Sequence, residues 1–152
     1  MNIPGLDDLE NEVQRLKKRY FEFLIFNISN LDPIEYHIKK TGGKNYNGEL
    51  IINYNEKKLI ETFNICRENV EQDVPCFIVY DFVFYEKGLW KTSLCLISFI
   101  PDNLNIKNKV VYSTNALNLK RLLEIPLLIS VNNVDDLTYE NIKDRCNKYK
   151  LN

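Results

Sequence analysis

The sequence carries one histidine, one tryptophan and one methionine in 152 residues. A lone histidine leaves no second imidazole for a Cys/His metal site and no visible partner for a histidine-assisted nucleophile. Four cysteines stand at 66, 76, 95 and 146, and none are spaced as a zinc knuckle or a redox pair. Cys76 and Cys95 sit in apolar runs and read as buried thiols. Neither charge is in surplus: 20 basic and 21 acidic residues leave a formal net charge of −1. General nucleic-acid binding wants a basic excess, so no nucleic-acid partner is expected. No apolar run reaches the length of a membrane span. The first residues, MNIPGLDDLENE, have neither the basic start nor the apolar stretch of a signal peptide. Reduced thiols without an export signal point to the cytosol. Gly42-Gly43 lacks the spacing of a phosphate-binding loop, and no paired-carboxylate or nucleophile motif is visible. No enzyme activity, cofactor or metal is therefore expected.

What remains is a chain that is 45% hydrophobic, enough for one sizeable core in one domain. Residues Met1–Leu6 read as a short mobile tail. Asp7 or Asp8 is positioned to cap a helix through Lys18, with Leu9, Val13 and Leu16 on one face. Lys17-Lys18-Arg19 suits a helix C-terminus and only secondarily resembles a nuclear-import patch. Tyr20–Ile28 (YFEFLIFNI) reads as a central strand, and Asn30-Leu31-Asp32-Pro33 as a turn into a second strand, Ile34–Lys40. His37 falls on the face opposite Tyr36 and Ile38 and reads as exposed. Thr41–Gly48 is a loop, and Asn55–Glu68 a helix with Leu59, Ile60 and Phe63 inward.

Cys76–Tyr85 (CFIVYDFVFY) is the strongest strand. A turn at Glu86-Lys87-Gly88 leads to its partner, Leu94–Ile100. Both strands are apolar on both faces at their centres, which places this hairpin mid-sheet with helices on either side. Asp81 inside such a strand reads as a structural, hydrogen-bonded carboxylate near the sheet edge. Ile125–Val131 is a short strand, and Thr138 caps a last helix to about Lys148 with Ile142 and Cys146 inward. The order predicts an α+β fold: a mixed sheet of about five strands flanked by helices on both faces.

The stretch Pro101–Leu123 is the most informative. Asn103 or Asn105 can cap a helix of about 18 residues, or about 27 Å. Tyr112, Ala116, Leu119 and Leu123 share the face that packs on the sheet. Ile106, Val110 and Leu117 share nearly the opposite face, flanked by Lys107, Lys109 and Arg121, with Ser113 and Thr114 among them. Unpaired Lys and Arg are rarely buried, so the second face is expected to meet a partner rather than the core.

Four blocks, in order along Leu6–Lys148, resemble the actin-depolymerising factor/cofilin family. They are Cys76–Phe82 (CFIVYDF), Ser98–Asp102, Ile106–Tyr112 (IKNKVVY) with Ser113-Thr114, and Asp136–Arg145 (DLTYENIKDR). The resemblance implies a monomeric cytosolic module that binds actin monomers, the ADP form preferred, and filaments. It implies filament severing or depolymerisation as the output. On the long helix it implies contacts from Lys107, Lys109, Val110, Thr114, Leu117, Lys120 and Arg121. In the tail it implies Ile3, Pro4 and Gly5. For the filament it implies Lys91, Asp144, Arg145 and Lys148. Phosphoinositides are a further implied partner, with Lys107, Lys109, Lys120 and Arg121 as the cations.

The chain departs from the family pattern in four places, one of them a short turn at Glu86–Trp90. Ala116-Leu117 stands where the family has Lys-Asp. Ser93 replaces one of two basic residues on the strand that carries Lys91, so weaker filament contacts are expected. The tail offers no Ser before Gly5, so the family's phosphorylation switch is not expected there. Phe77–Tyr80, Leu94–Phe99 and Val134–Thr138 also resemble the glia maturation factor branch, which binds the actin-branching complex and promotes debranching. Asp81-Phe82, Pro101-Asp102 and Ile106–Lys109 favour the cofilin side. A module of this fold with its actin site lost is the remaining alternative.

Overall fold

The computed structural model describes residues 3–43 and 55–151, with side chains described to residue 148. Among the described residues four helices and five strands follow in order: α1 (Leu6–Lys17), β1 (Phe23–Leu31), β2 (Ile34–Gly42), α2 (Glu56–Glu68), β3 (Cys76–Glu86), β4 (Leu89–Phe99), α3 (Ile106–Leu122), β5 (Leu127–Val131) and α4 (Tyr139–Leu151). A 3₁₀ turn at Val134–Asp136 precedes α4. The sheet order is β2-β1-β3-β4-β5. Every pair is antiparallel except β4 with β5, a parallel pair that needs the long crossover α3 supplies. The expected mixed α+β sheet is present, with β3 at its centre.

The layers follow from the strand alternation. Leu24, Phe26, Phe77, Val79 and Leu96 face α1 and α3, together with Leu9, Val13, Leu16, Tyr112, Ala116 and Leu119. Phe23, Ile25, Ile78, Tyr80, Phe82 and Ile97 face α2 and α4, with Phe63, Tyr139, Ile142 and Cys146. On that side Phe63 and Phe82 meet edge to face at 6.0 Å, and Tyr139 lies 4.9 Å from Phe82. Apolar burial on both faces is why the central strands lack polar alternation.

Several boundaries differ from the sequence reading for local reasons. Strand β1 begins at Phe23 because Arg19 is left-handed, with φ 67, and Tyr20 N–H still reaches back to Arg15 O at 3.2 Å. The cap of α1 is Gly5 rather than Asp7 or Asp8, which instead occupy the first turn. Strand β4 starts at Leu89, not Leu94, so the turn shrinks to Lys87-Gly88, with φ 51 and 81. That is the tight two-residue hairpin that positive φ permits. Thr41 and Gly42 close β2. Residues 44–48 of the expected loop lie outside the described residues.

The expected mobile tail is instead held at Ile3–Gly5. Tyr36 N–H donates to Pro4 O at 2.9 Å, Leu6 N–H donates to Ile3 O at 3.1 Å, and Ile3 packs on the α1/α3-side core. Asp81 lies near a sheet edge, as expected: β1 pairs with β3 only as far as Tyr80, and the Asp81 Oδ2 sits 3.7 Å from Arg19 Nε. Burial raises its pKa, and the Arg19 guanidinium partly offsets that rise.

Candidate functional site

Helix α3 is built to show two faces. Asn105 caps it, its Oδ1 accepting from Asn108 N–H at 2.9 Å. Asn103 is drawn elsewhere, donating to Asp73 Oδ1 at 2.9 Å. The inward face is fixed by Tyr112, whose ring stacks on Phe77 at 5.2 Å. The Tyr112 hydroxyl accepts from Ile28 N–H at 3.0 Å and lies 3.4 Å from Ile28 O. Phe26 pairs with Phe77 at the end of the β1–β3 ladder, so Ile28, two residues on, has no β3 partner, and the same register would bring it to Pro75. Proline has no N–H and ends the strand. The tyrosine hydroxyl takes the place of the missing strand partner, and burial pushes its pKa up to about 12.

The far end of α3 is held as firmly. Lys17 Nζ donates to Leu123 O at 2.7 Å and to Glu124 O at 3.2 Å. A cation is favoured there by the free carbonyls and dipole of a helix C-terminus. Lys17 and Arg19 are therefore engaged within the fold, which accounts for two members of the basic cluster at the end of α1.

With one face locked, the other is left to solvent. Ile106 is 79% exposed, Val110 57% and Leu117 45%. Lys107, Ser113, Thr114 and Arg121 are exposed beside them, while Lys109 and Lys120 are half-buried. Leu122 adds a further exposed apolar side chain. The sequence reading missed it because it lies off the 106/110/117 line. Large aliphatics are placed in water at a cost, and a contiguous row of them rimmed by cations marks a contact surface. Ala116 is buried and only Leu117 reaches the surface. The Ala116-Leu117 departure therefore changes the outer face at one position.

The tail joins this side of the molecule. Pro4 is bonded to Tyr36, and the Tyr36 hydroxyl donates to Asn115 Oδ1 of α3 at 3.4 Å. Asn115 in turn donates to Val111 O at 2.8 Å. Gly5 is required at the join: its φ is 83, and an added Cβ would overlap the carbonyl oxygen of Tyr36. Ile3–Gly5 and α3 thus share one link through Tyr36.

The second set of expected residues lies across the sheet. Asp144, Arg145 and Lys148 are on α4, where Lys148 Nζ and Asp144 Oδ2 form an exposed pair at 3.2 Å. Lys91 is half-buried on β4. Ser93, two residues on, is buried, so the position where the family has a basic residue turns into the fold here. His37 is exposed. Among the described residues no cluster of three or more His, Cys, Asp or Glu side chains is placed to hold a metal ion.

A helix locked on one face and aliphatic on the other, with a second charged surface across the sheet, is the build of a protein-binding module. Residues 2–147 match the family described as Cofilin/tropomyosin-type actin-binding protein, and the chain belongs to that family. An actin-depolymerizing factor from Brassica napus is 23% identical over 141 residues, spanning 91% of this chain and 98% of that protein. The fold superposes on a cofilin from Streptomyces griseoflavus with TM-score 0.74, at 18% identity over 97% of this chain and 98% of that one. It also superposes on coactosin from Entamoeba histolytica with TM-score 0.70, at 14% identity over 100% and 98%. At such identities the structural likeness speaks to the fold alone, and cofilin and coactosin share it.

Proposed function

We propose that this protein binds actin monomers, preferring the ADP form, and binds filaments to promote their severing and depolymerisation. The observation that carries this reading is the exposed row Ile106, Val110 and Leu117 on a helix whose opposite face is buried. In a protein interface such aliphatics supply the central apolar contact, and cations at the rim steer and orient. Lys107, Lys109, Thr114, Lys120 and Arg121 form that rim. Ile3, Pro4 and Gly5 extend the same surface through Tyr36. Lys91, Asp144, Arg145 and Lys148 form the filament surface on the opposite face of the sheet. The protein acts as a monomer in the cytosol, and phosphoinositides compete for the α3 cations.

Filament binding is the weaker of the two activities, because Ser93 presents no charge and Lys148 is already paired with Asp144. Exposed ion pairs contribute only about 0–1 kcal/mol each, so the apolar row dominates affinity. Co-sedimentation with filaments, set beside a fluorescence titration of monomers, tests this. The expected result is tighter binding to monomers. Equal affinity for the two would count against the assignment of surfaces.

A further inference from the structure

We infer that Leu117 is a specificity-determining residue, a role that rests on the α3 reading above. It selects an actin whose cleft is apolar and uncharged at the point facing it, and it excludes one that places a cation there.

Helix α3 carries charge of one sign. Ile106–Leu122 holds Lys107, Lys109, Lys120 and Arg121 and no Asp or Glu. These are four of the 20 basic residues and none of the 21 acidic ones, so the rest of the chain, with 16 and 21, is net −5. The contact helix is thus the positive pole of an otherwise acidic protein. Steering brings such a pole to an acidic cleft.

Leu117 stands where that charge comes closest to the apolar row. At 3.6 residues per turn it lies about 20° round the helix from both Ile106 and Val110, and about 16 Å along it from Ile106. Lys120 and Arg121 follow it by three and four residues, the spacing of neighbouring side chains on a helix. Ser113 and Thr114 precede it at the same spacing. The nearest acid in sequence, Glu124, lies past the end of the helix, about 10 Å further on. Leu117 is 45% exposed, while Ala116 beside it is buried and offers no charge in its place.

This setting decides what the partner presents. A partner cation against Leu117 would lose water to an alkyl side chain and meet two cations, with no carboxylate on the helix to answer it. A partner anion is paired at Lys120 and Arg121, at the rim, and would be stripped of water over the leucine itself. An uncharged apolar pocket is the surface that Leu117, Lys120 and Arg121 accept together, with acids confined to its wall.

The intact protein is titrated with ADP-actin monomers from its own organism, at low and at raised salt. Leu117→Asp and Leu117→Lys should each weaken binding by about tenfold or more, because an apolar pocket rejects charge of either sign. The loss in Leu117→Asp should persist at raised salt, since salt screens exposed charges and not an apolar contact. Leu117→Met, apolar and of similar volume, should recover most of the affinity that the charged variants lose. Ile65→Asp, at a comparably exposed aliphatic on α2 across the sheet, should bind as the parent does. Circular dichroism checks that each variant folds. Undiminished or tighter binding by Leu117→Asp would overturn the inference, putting a partner cation opposite the residue. Undiminished binding by Leu117→Lys would also overturn it, showing that the position faces water or an acid. Either result leaves the α3 reading standing, because the parent still binds. A parent that binds no actin would overturn that reading and the role of Leu117 together.

Discussion

Replacing Gly5 by alanine should detach the N-terminal tail. In the left-handed region a side chain costs about 1–2 kcal/mol, and at this position the new Cβ would also meet the Tyr36 carbonyl oxygen. Backbone cannot yield there without breaking the Tyr36 N–H···O Pro4 bond at 2.9 Å, which contributes about 0.5–1.5 kcal/mol. If the segment peels away instead, the hydrogen bond is lost together with the partial burial of Ile3, about 1 kcal/mol. The first route gives a loss of about 1.5–3.5 kcal/mol and the second about 1.5–2.5 kcal/mol. Urea unfolding of the pair measures it as a shift in midpoint with the slope unchanged. Hydrogen exchange at the Tyr36 amide locates it. A variant with the parental midpoint and a protected Tyr36 amide would refute the reasoning.

Three further outcomes follow from buried groups. Tyr112→Phe keeps the stack on Phe77 but leaves Ile28 N–H without its partner, and should cost about 1–3 kcal/mol in the same unfolding assay; no loss would mean that the hydroxyl does not substitute for the strand. Asp81 has a folded-state pKa raised above 3.8, chiefly by burial. A raised carboxyl pKa means that the folded state holds the proton more tightly, so stability falls as pH rises from the unfolded value through the folded one and is flat above. Relative to Asp81→Asn, the parent should lose stability across that window, and the opposite slope would contradict the burial. The cysteines at 66, 76, 95 and 146 are all buried thiols outside any disulfide. Burial lifts the Cys66 thiol well above its usual range and Cys76 to about 12, and a hydrogen bond with Cys146, together with burial, lifts Cys95 well above it. A thiol reagent should therefore label all four only after denaturation, and rapid labelling of the native protein would contradict the packing.

Much of the fold is written in local pattern. The double-sided apolar strands, the caps at Asn105 and Thr138, and the two faces of α3 are periodic or near-neighbour signals, and they reappear as expected. What the sequence hides is tertiary. Trp90, Lys91, Thr92 and Ser93 look like a polar loop end, yet cross-strand pairing with Phe82–Tyr85 makes them strand. The tail looks mobile because its anchor, Tyr36, is far along the chain and bonds through backbone that carries no side-chain signature. The partner of Asp81, Arg19, was hidden because it is distant in sequence and follows α1 in a left-handed turn. On the candidate surface the outward row was legible from spacing alone. The burial of Ala116 and Ser93, which decides what each departure from the family pattern does, needed the folded chain.

The most direct test is binding of the purified protein to ADP-actin and ATP-actin monomers, beside Val110→Asp and the Lys107→Ala, Lys109→Ala pair. Val110 is exposed in the middle of the aliphatic row, so a carboxylate there leaves the fold intact and places a charge where the partner should close. The account predicts ADP-preferring binding that Val110→Asp weakens by about thirtyfold or more, the loss of a central contact worth about 2 kcal/mol, with a smaller loss from the lysine pair. Undiminished binding by Val110→Asp, or no binding of either actin form by the parent, would contradict it.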